Sequence, residues 1–121
     1  MKFMLIVHHD EEAFNKIEKE KRQQMLAESI ELTYQLHATG QYLSASPLHP
    51  AATAVIVRVR EGKSLVTDGP FIETREQIAG YFLVNAQDIN EAIRIATRVP
   101  GARIGTIEVR PLIEITGLPP N

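Results

Sequence analysis

The stretch Gly80-Tyr81-Phe82-Leu83-Val84-Asn85-Ala86-Gln87-Asp88-Ile89-Asn90-Glu91-Ala92-Ile93-Arg94-Ile95-Ala96 decides the fold class. Tyr81-Phe82-Leu83-Val84 is a short apolar and aromatic run, the composition of a buried strand. Gly80 at its start marks a bulge or a close approach of another backbone. Asp88-Ile89-Asn90-Glu91 has the form of a capping box, with Asp88 as N-cap and Glu91 reaching back. Behind it Ile89, Ala92, Ile93 and Ala96 recur at the helical period and make one apolar face. Pro100-Gly101 ends that helix, and Gly105 to Arg110 reads as a strand stopped by Pro111.

Working outward, the N-terminal half supplies the remaining elements. Residues 2–8 are an apolar run ending at His8-His9-Asp10, read as a buried strand. Residues 10–20 read as a loop or the ragged start of a helix. A helix over 20–39 places Met25, Leu26, Ile30, Leu32, Thr33, Leu36 and His37 on one broad face, with Gly40 as its stop. Tyr42-Leu43-Ser44-Ala45 is a short strand that Ser46-Pro47-Leu48-His49-Pro50 breaks, because proline lacks the amide donor of a ladder. Residues 54–60 alternate as a half-buried strand. Glu61-Gly62-Lys63 turns it, and Ser64-Leu65-Val66-Thr67 runs back. The order strand, helix, strand with its hairpin, strand, helix, strand is the βαββαβ pattern of ferredoxin-like α+β domains. Two helices cover one sheet face. The other face calls for a partner, because strands 81–84 and 54–60 are apolar on both sides. One domain over residues 1–121 is expected, with an irregular tail from about residue 112.

Bulk properties narrow the function classes. Thirteen basic and fifteen acidic residues give a net charge of −2, with no single-sign field to attract nucleic acid or an anionic membrane. The chain has no cysteine, which rules out disulfides, thiolate nucleophiles and cysteine metal sites. Met1 to Val7 is too short an apolar run for a signal peptide, and no segment approaches the ~20 apolar residues of a membrane helix. The expected location is the cytoplasm.

The segment Thr67-Asp68-Gly69-Pro70-Phe71-Ile72-Glu73-Thr74-Arg75-Glu76-Gln77 resembles the signature of the DGPF-motif branch of the YCII-related family. Matches surround it: Lys2-Phe3-Met4-Leu5, Arg58-Val59-Arg60, Gly80-Tyr81-Phe82-Leu83-Val84, Pro100-Gly101-Ala102-Arg103 and Glu108-Val109-Arg110-Pro111. The resemblance covers nearly the whole chain. It implies a ferredoxin-like subunit paired into a dimeric α+β barrel. The family is largely without assigned reactions. Some members accompany sigma factors, the wider family includes proteins with a proposed His–Asp site, and a few relatives act as lyases on ring compounds. The helix-one histidine of those relatives falls near Ser29 here, and the nearest histidine is His37, two turns later.

The residues of the block have their own physical reading. Gly69 is expected to take a backbone conformation closed to other residues. Pro70 suits the first position of a short helix. Asp68 just ahead of it is placed to accept backbone N–H bonds, as from Phe71, which would make it a turn-and-cap residue first and a cleft carboxylate second. The candidate ligand-binding residues are Asp68, Gly69, Pro70, Phe71, Glu73, Thr74 and Tyr81. The candidate catalytic groups are Asp68, His37 and His8. His8-His9-Asp10-Glu11-Glu12 collects metal-ligand types, but adjacent strand residues point to opposite faces, so no metal is expected, and no cofactor. His37 reads as a core or interface histidine and His49 as a solvated loop residue. Three functions fit: a small-molecule binder with its cleft at the dimer or the 67–76 loop, a cofactor-free acid–base enzyme using Asp68, and an interaction protein tied to transcription control. A homodimer is expected in each.

Overall fold

The computed structural model describes residues 1–120. The helices and strands are β1 (Lys2–His9), α1 (Glu11–Asn15), α2 (Lys19–Ala38), β2 (Tyr42–Pro47), β3 (Val55–Arg60), β4 (Lys63–Asp68), β5 (Gln77–Asn85), α3 (Ile89–Thr97) and β6 (Thr106–Pro111). Short 3-10 turns occupy Ala51–Thr53 and Pro100–Arg103. The fold is α+β, with all strand pairs antiparallel. Four strands form one sheet in the order β2-β5-β1-β6, and β3 and β4 form a separate two-stranded sheet. Within the larger sheet, α2 links β1 to β2 and α3 links β5 to β6. The β3–β4 hairpin is therefore an insertion between β2 and β5.

Strand alternation divides the sheet into two faces. Phe3 and Leu5 of β1 pair with Val84 and Phe82 of β5, and all four are buried. They form one core with Leu32 and Leu36 of α2, Ala92, Ile95 and Ala96 of α3, and Val99. Met4 pairs with Leu83 and Ile6 with Tyr81 on the opposite face, where all four are only half-buried. The helix α3 starts as its sequence requires: Asp88 accepts from the Glu91 N–H at 2.9 Å. Glu91 reaches back one residue further than a standard box, accepting from the Gln87 N–H and from the Gln41 amide.

Several expectations need correction. Residues 10–20 are not a loop, since Asp10 caps α1 by accepting from the Ala13 N–H at 3.1 Å. The buried stripe of α2 is narrower than the apolar pattern suggested. Met25, Leu32 and Leu36 are buried, whereas Leu26, Ile30 and His37 are exposed. His37 is a surface residue because the stripe repeats at positions 25, 32 and 36, and 37 has rotated past it. Strand β2 continues through Pro47 instead of breaking at Ser46. It is the edge strand of its sheet, where a missing amide donor is tolerated. Strand β3 is not half-buried: Val55, Val57 and Val59 are each about 60% exposed. Its hairpin, turned by Glu61 and Gly62 at φ 52 and 74, is exposed along both strands except at Ile56.

Candidate functional site

The chemistry-bearing residues of the 67–77 segment sit beside a cleft built from three stretches of chain. Its floor is the end of the β1–β5 ladder, where the register shifts between Val7 and His8 and leaves Ala79 as an extra residue. The Ala79 carbonyl accepts from the Leu48 N–H at 2.8 Å, which hangs the 48–54 segment on the bulge. Glu11 secures the same segment, its carboxylate accepting from the Ala51 N–H at 2.9 Å. The opposite wall is residues 70–76. There the Gln77 side chain donates to the Thr74 carbonyl, the Thr74 hydroxyl to the Glu76 carbonyl, and Thr106 to the Glu76 carboxylate. The resulting cleft has a volume near 580 Å³ and is lined by Pro70, Phe71, Thr74, Glu76, His8 and His49, among others. The walls are mainly apolar, with a few polar groups converging, which is the usual make-up of a ligand site.

The candidate residues divide sharply by position. Pro70, Phe71 and Thr74 line the cleft; Asp68, Gly69 and Glu73 do not. Asp68 ends β4 opposite Val55, exposed, and among the described residues its carboxylate makes no hydrogen bond. The expected cap from the Phe71 N–H is therefore absent among the described residues, because Asp68 is held in the β4 ladder opposite Val55. Pro70 follows a cis peptide and begins no helix. Gly69 has no left-handed backbone; it is required for a different reason. A Cβ there would lie 2.9 Å from Ala54 Cβ, where the Gly69 N–H donates to the Ala54 carbonyl. Phe71 is itself exposed, with the Arg58 guanidinium 5.1 Å from its ring centroid.

The histidines are dispersed. His8 lines the cleft and its Nε2 donates to the Glu108 carboxylate at 3.0 Å, with Arg110 3.6 Å from the other oxygen. His9 points to the other side and stacks on Phe14 at 4.5 Å. Burial pushes the His9 imidazole below its usual pKa, against the opposing pull of Glu11, Glu76 and Asp10. His37 lies near Tyr42, 6.4 Å between ring centroids. Tyr81 hydrogen-bonds to Ser44 at 3.2 Å and lines a second cavity, near 320 Å³, together with Ser29. Ser29, Asp68 and His37 thus share no cleft. Among the described residues no three His, Asp or Glu side chains converge on a point.

Sequence reasoning missed Phe14 and Arg22, the place of His9 beside them, and the packing of the 48–54 segment. The signal for α1 was readable, since Asp10 followed by Glu11-Glu12 is an N-terminal capping pattern. The approach of residues 48–54 to the 70–76 loop carries no local sequence signal.

The comparison with known families fits this geometry. A model of the YCII-related domain matches residues 1–116. The chain belongs to the YCII-related family. An uncharacterized protein of Rhizobium meliloti (strain 1021) is 28% identical over 114 residues, covering 93% of this chain and 92% of that protein. The YCII-related match includes both the cleft and the β3–β4 hairpin. Among the described residues no helix is long and apolar enough to cross a membrane.

Proposed function

We propose that this member of the YCII-related family is a cytoplasmic homodimer that binds a small organic molecule in the cleft beside its DGPF loop. The observation that carries the reading is the cleft itself. Pro70, Phe71 and Thr74 meet His8, His49 and Glu76 around a space of about 580 Å³, within the range of small-molecule sites. The ligand would lie on Phe71, Ile72 and Leu48 and be oriented by the Thr74 hydroxyl oxygen as acceptor and by His8 and His49. The β3–β4 hairpin supports the dimer. Val57 and Val66 are cross-strand partners, both more than 60% exposed, and a lone two-stranded hairpin is marginal in water. A ferredoxin-like subunit pairing into an α+β barrel would cover the half-buried face of Met4, Ile6, Tyr81 and Leu83.

The test is a ligand screen by thermal shift, because a molecule that binds the native state raises its stability. The panel holds small organic acids, amines and neutral ring compounds. Hits are expected to lose their effect in Thr74→Val and Phe71→Ala and to keep it in Asp68→Ala. A panel without hits, or hits insensitive to both cleft variants, sinks the cleft. Light scattering that gives a monomer at micromolar concentration sinks the dimer.

A further inference from the structure

The second cavity lies on the helix side of the sheet, between α2, the β2–β5 edge and the Val99–Gly101 segment, and shares no lining residue with the cleft above. Its charge pattern is simple. No Asp or Glu lines it; the ionisable cations are Arg22 and His9. His9 is stacked on Phe14, and burial favours its neutral form. Arg22 also adjoins Phe14, its guanidinium 6.0 Å from the ring centroid. Arg22 Nε is buried and, among the described residues, has no hydrogen-bond partner. A buried donor left unpaired is costly, and a charged one more so.

The Ser29, Thr33 and Ser46 hydroxyls of the lining donate to the Met25, Ile30 and Pro47 carbonyls. The polar groups left for a ligand are the Arg22 guanidinium and the Tyr42 hydroxyl. The remaining walls include Val7, Met25, Phe82, Val99 and Ile104. A guanidinium offers parallel N–H groups that match a carboxylate, and the terminal nitrogens of Arg22 are the ones a ligand would meet.

We propose that this cavity is a second binding site, for a small apolar carboxylate whose oxygens meet Arg22 and whose hydrocarbon body lies against Val7, Met25, Phe82 and Val99. A volume near 320 Å³ admits a single ring or a short acyl chain. Ser29 borders the site, so a larger side chain there would take up its space.

Benzoate, 3-phenylpropionate and hexanoate serve as probes of the full chain, with benzyl alcohol and benzylamine as neutral and cationic counterparts of similar shape. Titration followed by amide chemical shifts should move Arg22, Ser29 and Gly80, with dissociation constants below about 1 mM for at least one carboxylate. The neutral and cationic probes should bind at least tenfold more weakly. Arg22→Met should weaken carboxylate binding at least tenfold, Arg22→Lys by less, and Ser29→Leu, which fills the cavity and keeps the charge, should abolish it. Phe71→Ala, in the other cleft, should leave it unchanged. Carboxylates that bind no better than benzyl alcohol overturn the proposal, as does Arg22→Met with undiminished affinity. If Arg22→Met does not fold, the selectivity of the parent chain among the probes decides the matter alone.

Discussion

Gly80 illustrates how one missing side chain positions a site. A Cβ at this position would lie 2.7 Å from the Ser46 carbonyl oxygen and 3.0 Å from Pro47 Cα, both backbone atoms of the edge strand. Gly80→Ala must push β2 away from β5 and disturb the bulge that holds Leu48. We expect a loss of about 1–3 kcal/mol, the usual range for overpacking, measured by urea denaturation. A variant that unfolds at the parent's midpoint would show that β2 yields freely. Asp68 is the opposite case. Its carboxylate is exposed and unbonded among the described residues, so Asp68→Ala and Asp68→Asn should each change stability by less than about 0.5 kcal/mol, as surface substitutions do. A drop of a kilocalorie or more in either variant would restore a structural role for this carboxylate.

At the scale of elements, the β3–β4 hairpin and the exposed ridge of α2 stand out. Both carry large apolar side chains in water: Val57 and Val66 on the hairpin, Leu26, Ile30 and Tyr34 on the helix. The core elements behave otherwise. Strands β1 and β5 bury alternate residues fully, and α3 buries Ala92, Ile95 and Ala96. A charge on the hairpin should therefore act on association and spare the fold. Val57→Glu is expected to convert the proposed dimer to a folded monomer, with the sedimentation coefficient falling and far-ultraviolet circular dichroism unchanged. A Val57→Glu protein that sediments as the parent does would move the interface off the hairpin.

For the whole molecule, pH couples to stability through His9. Its folded-state pKa lies below the ordinary histidine value because burial disfavours the charged ring. The unfolded chain therefore takes up a proton near its pKa of ~6.5 that the folded His9 resists. The folded state binds fewer protons in that window, so stability rises with pH through it and is lost as pH falls below about 6.5. The melting temperature of the parent should drop between pH 7.5 and 5. His9→Gln should lose part of that drop, read as the difference between the two pH profiles. Parallel profiles would remove His9 as the source.

How much of this was legible in the sequence differs between the backbone and the site. The strand Tyr81 to Val84, the apolar strand from Lys2 and the capped helix from Asp88 follow from periodicity and capping, which are local properties, whereas the pairing of Phe3 with Val84 and Leu5 with Phe82 is a matter of tertiary register. The same local rules explain why Asp88 behaves as its motif suggests. Local signals failed where a residue's environment comes from distant chain. His37 left the core because a straight helix can bury only one stripe, and the sheet beneath selects which. Pro47 stayed in a strand because β2 has only one neighbour. Asp68 became a ladder end and not a cap, since β3 holds it in register with Val55. The cleft needed the 48–54 segment to meet the 70–76 loop, and the Arg22 cavity needed α1 and its Phe14 to fold over β1. Residue type and spacing determined most of the elements and the family. Tertiary packing alone decided which side chains share a cavity, because that depends on register and on contacts between segments far apart in the chain.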